Sequence, residues 1–164
     1  MSQYQQLILR SNRHLATALL DQRLINTEDV EKANAKLLSF LQSGKTRYAS
    51  LLSILIYDQK ALDENSLIRK LVDHHKVGLV HLGQFDMARA PMADVDVDDC
   101  WATMTVPFDR IGSAVCLATC YYLSKPAVDF WEQGHSKGLW YTTTLNSLTS
   151  ALESLVQTQE SGGT

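Results

Sequence analysis

The chain has 164 residues, a formal net charge of −3 and 45% hydrophobic residues, which suits one globular domain or two small ones. It has no dense basic stripe, which argues against a nucleic-acid binder. No apolar run approaches the roughly 20 residues that a membrane span needs, and the polar start Met1-Ser2-Gln3-Tyr4 does not read as a secretory leader, so a cytosolic chain is expected.

Residues 3–21 predict a helix with Leu7, Ile8, Leu15, Ala18 and Leu19 on one stripe and Arg10, Arg13 and Gln22 outside it. Residues 28–42 predict a second, capped by Thr27, with Val30, Ala33, Leu37, Leu38 and Leu41 inward and Gly44 ending it. Residues 48–58 read as a short, very apolar helix, and residues 64–75 as a fourth, capped by Asp63. These four helices form a repeat: the stretch Leu24–Ala33 is echoed by Leu62–Leu71, each behind an aliphatic run. In each copy an apolar residue, Ile25 or Leu62, precedes an acidic helix start, where it can pack back onto the new helix. The unit reverses the chain between two helices and contains no chemistry.

The period then changes. Val77–Leu82 reads as a strand, Gly83–Met92 as loop and Asp96–Ala102 as a short helix. Met104–Phe108 reads as a strand that Pro107 confines to an end or an edge, followed by a turn over Asp109–Gly112. Ser113–Tyr121 is the best strand by composition, and Ser124 and Pro126 open a helix to about Glu132. Leu139–Thr144 is a strand by β-propensity, and Asn146 or Ser147 caps a last helix through Leu155. The fold class expected is α+β: a helical subdomain over 1–76, then a small α/β sandwich over 77–158 with helices on one face of its sheet, and a disordered tail over 159–164. Charge supports this boundary: eleven Lys/Arg face eight Asp/Glu up to Gly78, and four face ten beyond it.

Chemical motifs are weak. Ser43-Gly44-Lys45-Thr46 matches only the end of a phosphate loop, and Asp94–Asp99 lacks the glycine and the final glutamate of a calcium loop. His74 and His75 point to different faces of a helix, so with His81 they make no metal site. Cys100, Cys116 and Cys120 have no metal spacing and read as free buried thiols. No catalytic residue and no cofactor is expected, nor is an enzyme.

On these elements the chain resembles the N-terminal domain of type II secretion and type IV pilus assembly ATPases, over about residues 12–157. That family opens with helical units of the form Leu-Gly-x-x-Leu-Val-x-x-Gly-x-Ile-[Thr/Ser]. Leu15–Val30 follows the pattern well and Leu52–Leu67 less well. Val106-Pro107, Leu117-Ala118, Pro126, Trp140–Thr144 and Leu148–Leu155 stand at later landmarks of the family. The resemblance implies a non-catalytic bacterial interaction domain in protein transport. It would dock a motor onto an inner-membrane platform protein from the cytoplasmic side, without inserting into the membrane. The very apolar 48–58 helix is the expected contact surface, through Tyr48, Leu51, Ile54 and Leu55.

One branch of the family binds cyclic-di-GMP through an arginine and glycines of the repeat. Here those places hold His14, Ala16 and Arg23, then Leu51, Ser53 and Lys60. The stacking guanidinium and the glycines that allow close approach are missing. Cyclic-dinucleotide sensing is therefore the alternative function, with His14, Arg23 and Lys60 as its candidate contacts.

Overall fold

The computed structural model describes residues 2–45, 49–87, 95–133 and 138–162. Helix α1 (Gln3–Asp21) starts with a reciprocal capping box. The Ser2 Oγ accepts from the Gln5 amide at 3.1 Å, and the Gln5 side chain accepts from the Ser2 amide at 3.2 Å. Helix α2 (Thr27–Gln42) is capped by Asn26, not by the expected Thr27; Asn26 Oδ1 accepts from the Asp29 amide at 2.8 Å. Thr27 becomes the first helical residue, and Glu28 and Asp29 sit in the first turn against the positive end of the helix dipole. Gly44 then takes a left-handed φ of 80°, the conformation glycine adopts without a Cβ penalty.

The apolar 48–58 stretch departs further. Helix α3 covers only Leu51–Ser53 and widens into a π-helical turn over Ile54–Asp58, with the Gln59 amide donating to the Ile54 carbonyl. Leu51, Leu52, Ile54 and Leu55 are buried, Ser53 and Ile56 are half-buried and Tyr57 is exposed, so the segment buries one broad face and leaves the Tyr57 side open. Helix α4 (Glu64–Asp73) is capped by Asp63, whose carboxylate accepts from the Ser66 hydroxyl at 2.6 Å. The Ser66 hydrogen bonds hold the Asp63 carboxyl below its ordinary range.

Among the described residues, four strands make one mixed sheet in the order β1 (Gly78–Leu79), β4 (Gly138–Thr142), β3 (Ala114–Thr119), β2 (Thr105–Ile111). The expected strand over 77–82 shrinks to β1 (Gly78–Leu79), because Leu82 instead turns inward at the start of a 3-10 turn. Gly78 lies under the Tyr141 ring, where a Cβ would come within 2.7 Å of ring carbon. Helix α5 (Val97–Thr103) leads into β2 (Thr105–Ile111) and β3 (Ala114–Thr119), an antiparallel hairpin. The strand β2 outlasts the predicted turn and reaches Ile111. It lies at the sheet edge, as Pro107 requires, and its register shifts between Pro107 and Asp109. Helix α6 (Lys125–Glu132) crosses over to β4 (Gly138–Thr142), parallel to both β3 and β1. Helix α7 (Leu145–Gly162) starts earlier than predicted, with Thr144 Oγ1 accepting from the Ser147 amide. It also runs on into the stretch expected to be a disordered tail. Gln159 and Glu160 there are good helix formers, and Gln159 donates to the Val95 carbonyl at 2.9 Å.

The architecture is α+β, with N-terminal helices followed by a small sheet with helices. One apolar core is continuous from Leu7 to Leu155. The helix α1 packs mainly against α5 and α6, so it joins the two halves. The seam is polar at one point. Tyr121 donates to Asn12 Oδ1 at 2.6 Å, the Leu51 amide donates to the same oxygen at 3.0 Å, and Ser50 Oγ lies 2.8 Å from the Tyr121 hydroxyl. A second link runs from the Leu145 amide, at the start of α7, to Glu64 Oε2 at 2.8 Å.

The first turn of α5 carries a destabilising charge. Burial, then Asp96 and Asp98, push the Asp99 carboxyl above its ordinary range. Its charged form is disfavoured in the folded state, so folding loses stability as pH rises from the unfolded carboxylate value of about 3.9 through the raised folded one. Asp99→Asn is expected to raise the urea midpoint at pH 7 and to match the parent chain near pH 3, about a unit below that unfolded value. An equal midpoint at pH 7 would refute the assignment.

Candidate functional site

Each turn of the repeat carries one residue in the left-handed region. After α1, the Leu24 amide donates to the Leu19 carbonyl and Arg23 takes φ 59°. After the π turn, the Ala61 and Leu62 amides both donate to the Leu55 carbonyl and Lys60 takes φ 52°. Both are left-handed helix ends of the kind that glycine fills most easily. Ile25 and Leu62 then turn in and are buried, as the repeat predicts.

A left-handed conformation costs a residue with a Cβ about 1–2 kcal/mol, whereas glycine loses about 0.5–1 kcal/mol more backbone freedom on folding. Arg23→Gly and Lys60→Gly are each expected to stabilise the chain, by about 0.5–1 kcal/mol from the difference. Chemical denaturation measures this, and a loss of stability in both would contradict the assigned backbone.

His14, Arg23 and Lys60 are all exposed, and no hydrogen bond or ion pair joins them among the described residues. The first turn instead recruits residues that the sequence did not single out for it. Lys70 donates to the Gln22 carbonyl at 3.2 Å, and the Gln22 side chain lies 3.3 Å from His75 Nε2. The His75 ring meets Tyr122 edge-on, and Tyr122 meets Trp140.

The expected contact surface on the 48–58 helix is corrected by the structure. Leu51, Ile54 and Leu55 are 0%, 1% and 0% exposed, and Tyr48 lies outside the described residues. High apolarity here marks the face, Leu51, Leu52, Ile54 and Leu55, that the fold itself encloses, while Tyr57 stays exposed.

The accessible apolar surface lies elsewhere, in a cleft of about 310 Å³ between α1 and α2. Ala16, Val30 and Leu37 are its buried floor. Leu9 and Leu20 are half-buried on the α1 side, and Leu38, predicted to face inward, is 47% exposed on the α2 side. Arg13 and Asn34 supply its polar edge. The cleft exists because α1 is committed to α5 and α6 and makes only a light contact with α2. Periodicity places Leu38 beside Leu37 and Leu41 but cannot say where the partner helix stops, so the sequence reading missed the opening.

Solved structures share this arrangement. The N-terminal domain of XpsE superposes with a TM-score of 0.56 at 14% identity, over 87% of this chain and 94% of that one. The chain has the fold of the XpsE N-terminal domain. A second crystal form of that domain gives a TM-score of 0.54 at 14% identity, over 84% of this chain and 91% of that one. A structure of MshE with cdg gives 0.50 at 13% identity, over 86% and 97%. XpsE and MshE are type II secretion and pilus ATPases. No family model matches the chain, and no curated protein sequence matches it either. At these identities the likeness is one of fold. The XpsE-like arrangement nonetheless covers both the helical repeat and the sheet, in the order the sequence predicted.

Proposed function

We propose that the chain is a non-catalytic interaction domain of the secretion-ATPase N-terminal kind, which docks a motor onto an inner-membrane platform protein from the cytoplasm. The observation that carries this reading is the XpsE likeness over most of the chain. It is a likeness to the N-terminal domain of such ATPases and not to their catalytic part. The open apolar cleft with a cationic edge supports it, because interaction domains need an accessible apolar surface and cores do not. The test is capture with the tagged full chain from its native cells, read by mass spectrometry. Recovery of a secretion or pilus motor, or of its platform protein, is the expected result. Clean bait would overturn the adaptor role.

One observation favours a second reading, cyclic-di-GMP sensing. MshE has been solved with cdg, and this chain keeps left-handed backbone at Arg23 and Lys60, where the resembling motif has glycine. Their long side chains fill the space a glycine would leave open, which weighs against close backbone approach. Calorimetric titration of the full chain with cyclic-di-GMP decides it: measurable heat that is lost in an Arg23→Ala, Lys60→Ala double variant supports sensing, and a flat titration removes it.

A further inference from the structure

Within the interaction-domain reading, and resting on it, we infer that the α1–α2 cleft receives an acidic amphipathic helix of the partner protein. The shape is that of a helix groove. Two antiparallel rims carry exposed or half-exposed leucines, Leu9 and Leu20 on one and Leu38 on the other, over the closed floor of Ala16, Val30 and Leu37. Its 310 Å³ equals the space of about ten waters, which apolar side chains spaced i, i+3/i+4 would displace.

Charge selects the partner. Arg13 lines the cleft, and among the described residues no acidic side chain does. Arg10 lies one turn before it on α1, is exposed, and shares its face. Neither arginine forms an ion pair among the described residues. The cations of α2 are already neutralised, Lys32 by Glu28 at 3.1 Å and Lys36 by Asp58 at 2.6 Å. On the α1 rim the charge left for a visitor is the Arg10–Arg13 pair. A carboxylate flanking the apolar stripe of the incoming helix meets it with a forked, charge-assisted hydrogen bond. Complementary charge also sets register and partner choice.

Site-specific photo-crosslinking in the native cells tests this. A benzoylphenylalanine replaces Leu38 in the full chain, and in a second version replaces Ile111, which is 58% exposed on the hairpin far along the sequence. The expected result is an adduct from position 38 whose mapped peptide is an acidic amphipathic helix of another protein, with its yield falling at least tenfold in Arg13→Glu. Arg13 is exposed, so that variant is expected to keep its circular dichroism and melting profile. An adduct with a second copy of this chain, with lipid, or with a basic or extended segment would overturn the inference. So would no adduct at position 38, or a yield indifferent to Arg13→Glu. Capture of a motor or platform protein together with an adduct at position 111 alone would overturn the cleft while leaving the adaptor role standing.

Discussion

Asn12→Ala is expected to cost about 1–3 kcal/mol, because it orphans one buried donor, the Leu51 amide, while the Tyr121 hydroxyl keeps Ser50 Oγ as a partner. The Tyr121 hydroxyl and the Leu51 amide share Asn12 Oδ1 at 2.6 and 3.0 Å. Asn12 is 1% exposed and Tyr121 is fully buried, so water does not replace the lost acceptor. Burial pushes the Tyr121 phenol above its ordinary range, which keeps it a neutral donor at any physiological pH. Tyr121→Phe removes the donor instead, leaves Asn12 Oδ1 bonded to the Leu51 amide and takes the partner from Ser50 Oγ, so its cost is of the same size, about 1–3 kcal/mol. Against a typical domain stability of about 5–15 kcal/mol, either variant removes a sizeable share. The pair also spans the seam between the helical half and the sheet, over a core that is continuous across it. Urea unfolding followed by far-ultraviolet dichroism and by tryptophan fluorescence should therefore move as one transition. A cost below about 0.5 kcal/mol for Asn12→Ala, the range of an ordinary surface change, would show that the network is not formed.

Leu55→Ala is expected to destabilise by about 2–5 kcal/mol, the range for emptying a leucine site in a closed core. Leu55 has no exposed surface, and its carbonyl accepts from the amides of both Ala61 and Leu62. It lies in the π turn that feeds the second repeat, so a cavity there loosens the turn at Lys60 as well as the core. The variant separates two descriptions of the apolar 48–58 stretch. A solvent-facing contact residue would change stability by no more than about 0.5 kcal/mol and weaken only partner capture. A core residue lowers the thermal midpoint of the isolated chain, by about 4–20 °C at the 2–4 °C per kcal/mol typical of this size. Leu38→Ala is the matched control on the exposed rim, with little change in melting expected.

Local sequence was sufficient wherever a residue's role depends on its near neighbours. Leu7, Ile8, Leu15 and Leu19 of the α1 stripe, the Asp63 cap, the edge place that is one of the two Pro107 allows and the Pro126 helix start appear as read. The helical repeat is legible because its turn backbone is set by a few residues, and both copies keep one left-handed residue even with Arg23 and Lys60 in place of glycine.

The candidate site was not legible, because exposure is a property of packing partners and not of pattern. Leu51, Ile54 and Leu55 form the most apolar run in the helical half and are enclosed; Leu38 continues a regular stripe and is open. The difference lies in where α1 goes. Its pairing with α5 and α6, about 80 to 130 residues along the chain, draws it from α2 and leaves the cleft. The polar seam has the same origin: Asn12 on a helix stripe and Tyr121 past a strand end are 109 residues apart and carry no local mark of each other. By itself the sequence determined the helix stripes, the repeat turns and the order of elements, all of which follow from short-range sterics and periodicity. Only the tertiary structure decided which apolar face is covered, because burial is settled by the few long-range contacts that close the core.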